Sequence, residues 1–210
     1  SGTVATSIGL TGITNLSLAG TVNINNNSLT NNQITTTTAA LTGSLAMITN
    51  SGAAGTVNIN SNTITGNGIT CPAATSPLIT GIYNSGAVGT LNIGSNILNT
   101  FTTTSTSGQM QAISNNAAAV VNAINITNNT MGNSTTAFLT SSAATSGAFY
   151  GVYATTGSTT CVVNFTGNSI GGNITYTAAS TAAQYYFYNG ISASATTSPM
   201  VCSNNTLSPP

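Results

Sequence analysis

The chain has 210 residues and contains no Asp, Glu, Lys, Arg or His. General acid–base catalysis at neutral pH needs His, a carboxylate or Lys, and a nucleophilic Ser, Thr or Cys needs such a group beside it. Nucleic-acid binding and attraction to anionic lipid rest on Lys and Arg, and metal sites on clustered carboxylate, imidazole or thiolate, so the sequence predicts no catalytic residue, no cofactor, no metal site and no nucleic-acid partner.

The chain is nonetheless built to fold. Its residues are 40% hydrophobic and include only 5 Pro. Disordered chains combine low hydrophobicity with high net charge, and this one has neither. No apolar run approaches the ~18 residues of a membrane span, so no membrane insertion is expected. The chain opens at Ser1 rather than Met, which reads as a mature or trimmed product. It holds 41 Thr and 29 Asn against 4 Gln. Thr is β-branched and favours strands, whereas Asn favours turns. The composition therefore predicts an all-β fold with frequent turns.

Two motifs recur along the chain. The first, apolar-x-small-apolar, reads Leu10-Thr11-Gly12-Ile13, then Leu45-Ala46-Met47-Ile48, with Met47 departing from the small position. It returns at Ile79 to Ile82, Met110 to Ile113, Phe149 to Val152 and Tyr188 to Ile191. Between 9 and 11 residues further on comes apolar-x-apolar-x-x-Asn-x-apolar. Its copies are Val22-Asn23-Ile24 with Asn27 and Leu29, then Val57 to Ile64, Leu91 to Leu98, Ile124 to Met131, Val163 to Ile170 and Met200 to Leu207. Successive corner Asn lie 35, 34, 33, 39 and 37 residues apart.

Both motifs alternate apolar and polar, the period of a half-buried strand. The segments that follow them vary in length, as at Thr35-Thr36-Thr37-Thr38 and Thr102-Thr103-Thr104-Ser105. They are expected to be loops on one face. Six units follow, at about 1–35, 36–70, 71–101, 102–138, 139–175 and 176–210, in a single domain over 1–210. The pattern predicts a parallel β-helix (β-solenoid) of about six coils, one per repeat. Tandem hairpin blades are the alternative, but only Asn67-Gly68 resembles a tight hairpin turn.

Asn27, Asn62, Asn96, Asn129, Asn168 and Asn205 each follow a strand. They are expected at a corner, with left-handed backbone and amides stacked from coil to coil as a ladder. Asn23, Asn58, Asn92, Asn125 and Asn164 lie between two core positions, so they are expected to form a second row facing outward. No unit looks like a polar cap. The ends, with Val4, Ile8 and Leu10 on one side and Val201 and Leu207 on the other, are expected to associate head to tail; the alternative is that the chain is a cut from a longer solenoid, where the ends are covalent neighbours.

The units GTVNINNNSLT, GTVNINSNTIT and LITGIYNSGAVGTLNIGSN resemble repeats in large secreted surface proteins of gliding bacteria. Those are similar to parallel β-helix adhesins and extracellular fibres. The resemblance implies an extracellular or cell-surface location and no known chemistry.

Cys202 replaces an inward residue and is expected to be a core thiol. Cys71 falls in a loop and Cys161 just before a strand, so no disulfide ladder is expected, with one bridge or one intermolecular bond left open. Eight Asn-x-Ser/Thr sequons begin at Asn15, Asn26, Asn125, Asn128, Asn133, Asn164, Asn173 and Asn204. An aromatic run includes Tyr185, Tyr186 and Tyr188; it could contact a glycan or a partner chain, or pack on the neighbouring coil. The leading functional reading is a structural or adhesive extracellular protein, a self-associating fibre or surface-layer subunit. Two alternatives remain: an ice-binding solenoid, for which only Thr63/Thr65 supplies a Thr-x-Thr pair, and a non-catalytic glycan-binding module.

Overall fold

The computed structural model describes residues 9–37, 41–71, 77–117, 120–132, 135, 137–142, 146–154, 161–171, 174–190 and 200–207. The first turn is β1 (Leu10–Asn15), β2 (Ala19–Asn25), β3 (Ser28–Thr30) and β4 (Gln33–Thr35). The second is β5 (Leu45–Asn50), β6 (Ala54–Asn60), β7 (Thr63–Thr65) and β8 (Gly68–Thr70). The third is β9 (Leu78–Asn84), β10 (Val88–Gly94), β11 (Ile97–Asn99) and β12 (Phe101–Thr103). The fourth runs through β13 (Gln109–Asn115), β14 (Val120–Thr127), β15 (Thr130–Met131) and β16 (Leu139–Ser141). The fifth comprises β17 (Phe149–Ala154), β18 (Val162–Thr166), β19 (Ser169–Ile170) and β20 (Ile174–Tyr176). The sixth holds β21 (Gln184–Asn189), β22 (Met200–Ser203) and β23 (Thr206–Leu207).

Each strand pairs in parallel with its counterpart one turn away. The result is four sheets along one axis: β1-β5-β9-β13-β17-β21, β2-β6-β10-β14-β18-β22, β3-β7-β11-β15-β19-β23 and β4-β8-β12-β16-β20. The fold is a parallel β-solenoid of five four-stranded turns, with a sixth that has three strands among the described residues.

Register follows chemistry. Val22, Val57, Leu91, Ile124, Val163 and Met200 form one column. Ile24, Ile59, Ile93, Ile126, Phe165 and Cys202 form the next inward column. A slip by one residue would turn both columns to solvent and the intervening Asn to the core, so the alternation fixes the pairing. Leu29, Ile64, Leu98, Met131 and Ile170 close the interior from the third sheet. The small position of the first motif faces them. A Cβ on Gly81 would lie 2.5 Å from Leu98 Cδ2 and 2.6 Å from the Ala112 carbonyl oxygen, so the backbone there approaches the opposite wall too closely for a side chain.

Two expectations need correction. The Thr-rich segments are not simply loops, because five of them carry the fourth sheet, in which Ile34, Ile69 and Phe101 are buried. Three-residue strands are too short to display a period. In the sixth turn the first-motif positions fall on Gln184 to Phe187, not on Tyr188 to Ile191: Tyr150 pairs with Tyr185 and Val152 with Phe187. Phe187 takes the inward column and lies against Phe165, ring centroids 5.5 Å apart.

Candidate functional site

The described residues hold no cluster that could bind a metal and no helix long and apolar enough to cross a membrane. What repeats with precision is the set of amide rows, and what stands exposed is the two ends.

In the main row, each corner Asn reaches forward by one turn. The backbone N–H of Asn27 donates to Asn62 Oδ1 at 2.9 Å, Asn62 to Asn96 at 2.9 Å, Asn96 to Asn129 at 3.0 Å, Asn129 to Asn168 at 3.0 Å and Asn168 to Asn205 at 2.9 Å. The Nδ2 of each donates to the same oxygen at 2.9–3.0 Å. From Asn62 onward the second Nδ2 hydrogen goes back one turn, for instance from Asn62 to the Ile24 carbonyl and from Asn205 to the Phe165 carbonyl, whereas that of Asn27 goes to the Asn25 carbonyl. Asn62, Asn96, Asn129 and Asn168 are fully buried. Every buried amide in the row is thus satisfied, which is the condition for burying it at all.

The ladder was legible in the sequence; its placement was not. These asparagines face the interior, and the left-handed backbone falls on the residue before each: Asn26 (φ 60), Ser61 (58), Ser95 (56), Asn128 (55), Gly167 (68) and Asn204 (55). The turn inverts the chain so that the next side chain points inward. The sequon residues Asn26, Asn128 and Asn204 therefore occupy the corner itself.

Three further rows are present. Asn23, Asn58, Asn92, Asn125 and Asn164 lie outward as expected, each Nδ2 donating backward to the preceding Oδ1 at 2.7–2.8 Å. This direction is opposite to that of the main row. Asn125 and Asn164 are sequon residues whose amides are committed to the row. Asn15, Asn50, Asn84 and Asn115 make a third row, donating forward at 2.7 Å. Their spacings of 35, 34 and 31 residues, always two positions after the first motif, carried that signal in the sequence. Ala154 breaks this row, and Asn189 resumes it with an Oδ1 that is buried and has no hydrogen-bond partner. A short fourth row, Asn32 to Asn67, ends at Phe101, where Phe101, Phe138 and Phe149 pack edge to face with centroids 5.7 and 5.4 Å apart.

The tyrosines form a two-by-two block on the outside of the first sheet. Tyr150 stacks on Tyr185 at 5.0 Å and 11°, and Tyr153 on Tyr188 at 5.1 Å and 4°. Each ring of the sixth turn therefore has one face covered by its neighbour. Burial, and then the phenols of Tyr185, Tyr153 and Tyr188, push the Tyr150 pKa up. Tyr186 does not belong to this block. Its register sets it beside Gly151, in the inward small column. It is nonetheless 39% exposed, on the outermost strand of its sheet.

Of the residues expected at self-association ends, Val201, Leu207 and Leu10 lie on the outermost strands of their sheets, and Val4 and Ile8 lie outside the described residues. Cys202 occupies the inward column beside Phe165 but is exposed, which corrects the expectation of a core thiol: it lies on the outermost strand of its sheet, paired on one side only among the described residues. Cys71 and Cys161 are buried. The pairs following each corner, such as Ser28/Thr30 and Thr63/Thr65, do face out, but an exposed Ile97 interrupts them.

Among the described residues, large exposed hydrophobics number ten, and eight of them belong to the first and sixth turns: Leu16, Leu18, Tyr185, Tyr186, Tyr188, Met200, Val201 and Leu207. Comparisons with protein-family models, curated proteins and solved structures give no match.

Proposed function

We propose that the chain is a non-catalytic structural β-solenoid, a fibre or surface-layer subunit that stacks end to end with copies of itself outside the cell. The observation that carries this reading is that Tyr186, Met200 and Leu207, which continue inward columns in the sixth turn, are exposed. A solenoid covers its apolar columns only by adding turns, and an uncapped end leaves both the columns and the strand edges open. With no charge anywhere, neither charged gatekeepers nor net repulsion oppose contact. The extracellular location rests on the likeness of the repeats to secreted surface proteins, and fractionation of the source cells tests it separately.

Light scattering and electron microscopy of the 210-residue chain test the stacking. Six turns at ~4.8 Å predict a rise of roughly 29 Å per subunit. Filaments with that repeat support the proposal. A chain that stays monomeric at high micromolar concentration overturns it.

A further inference from the structure

We propose that the tyrosine block on the first sheet is a site of oxidative coupling, at which a stacked phenol pair becomes a dityrosine bond that fastens the sixth turn to the fifth. The site lies within one chain and does not depend on whether copies stack. Tyrosine fills both outward columns of the sheet in these two turns only. One column reads Thr11, Ala46, Thr80, Gln111, Tyr150 and Tyr185, the other Thr14, Thr49, Tyr83, Ser114, Tyr153 and Tyr188. The two stacked pairs have centroids 5.0 and 5.1 Å apart, and edge contacts of 5.1–5.7 Å join one pair to the other. A reagent can reach them: Tyr185 and Tyr188 are exposed, and Tyr150 and Tyr153 are half-buried. The chain has no Trp, and Cys71 and Cys161 are buried. Apart from the Cys202 thiol, phenols are therefore its most readily oxidised accessible groups.

The oxidant is a haem peroxidase with hydrogen peroxide. Each phenol of a pair loses one electron and its hydroxyl proton, giving two phenoxyl radicals. One carbon–carbon bond forms between ring carbons ortho to the oxygens. The hydrogen on each of those carbons then leaves as a proton, one returns to each oxygen, and both rings are aromatic again. The two electrons and two protons released convert one hydrogen peroxide into two waters.

The geometry supplies the step that is slow between separate chains, where two short-lived radicals must meet. Here the partner ring is already held beside the first, so a bimolecular step becomes intramolecular. Paired Cα atoms lie ~4.8 Å apart across the sheet, and rings that tilt out of the stack meet at their ortho carbons. Exposed side chains make such movements in picoseconds to nanoseconds. Tyr186 is the internal contrast. It is about as exposed as Tyr185 and Tyr188, but it lies in the inward small column and no ring stacks on it among the described residues.

Peroxidase treatment of dilute Cys202→Ser chains tests the proposal; the substitution removes the exposed thiol that reduces the radicals. Mass spectrometry of the monomer and of its peptides reads the outcome. The expected product is a monomer lighter by two hydrogens per link, with dityrosine fluorescence and linked peptides that join Tyr150 to Tyr185 or Tyr153 to Tyr188. Each pair is 35 residues apart, so closing that loop should raise Tm by about 10 °C. Tyr150→Phe/Tyr153→Phe chains keep the rings and lose two phenols, and their intramolecular yield should fall about tenfold or more. Tyr83→Phe/Tyr186→Phe chains should couple as the parent does. Links that map to Tyr83, Tyr176 or Tyr186, links formed only between chains, a yield undiminished in the Tyr150→Phe/Tyr153→Phe chain, or no dityrosine at all would overturn the proposal.

Discussion

Replacing Asn96 by Ala tests whether the buried amide row holds the fold together. Asn96 Oδ1 accepts from the N–H and Nδ2 of Asn62 at 2.9 and 3.0 Å, and its Nδ2 donates to Ile59 O at 2.8 Å and Asn129 Oδ1 at 2.9 Å. The substitution removes four hydrogen bonds and strands their partners where water cannot replace them. At a net ~1 kcal/mol per bond the loss is about 4 kcal/mol, and the stranded groups can only raise it. Asn92 is the control. It makes two amide bonds, to Asn58 and from Asn125, both at 2.8 Å, and it lies on the outer face. Water takes over there, so Asn92→Ala loses about 1 kcal/mol.

For a chain of this size 1 kcal/mol shifts Tm by roughly 2–4 °C. Calorimetry should thus show Asn96→Ala melting about 8–16 °C lower and Asn92→Ala about 2–4 °C lower. Asn96→Asp adds a pH signature. A buried carboxyl with fewer donors facing it has its folded pKa raised above the unfolded value of ~3.9, so its contribution is present below that value and lost as pH rises through the folded pKa. That variant should regain stability on acidification. Equal losses for Asn96→Ala and Asn92→Ala would refute the argument that burial makes the inner row the structural one.

The remaining predictions follow from single features. Ala154→Asn restores the third row and supplies a donor to the orphaned Asn189 Oδ1; the urea midpoint should rise by the equivalent of ~1 kcal/mol at unchanged slope, and a fall would show that the site cannot hold the amide. Gly81→Ala should destabilise by about 1–3 kcal/mol in the same assay, because its Cβ meets Leu98 Cδ2 at 2.5 Å. Stability should be flat from about pH 4 to pH 8 and decline above about pH 10. The phenols of Tyr150 and Tyr176 are raised, chiefly by burial, so their contribution is complete below the unfolded value and lost as pH rises through the folded one. A midpoint in thermal melts that moves between pH 4 and pH 8 by more than about 5 °C would contradict this.

The sheets were unequally legible. The first three strands of a turn were visible because Val22, Ile24 and Leu29 recur with their Asn at near-constant spacing. The fourth strand was hidden in Thr-rich stretches such as Gln33–Thr35, where only the backbone pairing to Gly68–Thr70 reveals it. The role of Asn27 and its equivalents was half legible. Alternation counts residues but cannot count a left-handed one, so the turn at Asn26 reverses the expected facing of the next side chain. Tyr188-Asn189-Gly190-Ile191 matched the first motif by residue type, yet Phe187 wins the column because a ring there packs on Phe165. The direction of donation along a row is set by how each amide is turned, so no residue pattern carries it.

If copies stack as proposed, their orientation has to come from contact. Charged proteins align before touching, because their fields reach about a Debye length. This chain has no such field. The rows supply a direction that acts only at hydrogen-bond range. The main and third rows donate forward along the axis, and the outer row donates backward. The outer row stops short, since Asn164 faces Val201 in the sixth turn. Along the axis the rows thus oppose one another, the main and third rows donating toward the sixth turn and the outer row toward the first. An encounter rate governed by such contacts has no electrostatic component to screen, so elongation followed by light scattering should keep the same rate from low salt to ~0.5 M NaCl. A rate that falls steeply with salt would mean that charge, absent from the sequence, enters through a bound ion or a modification.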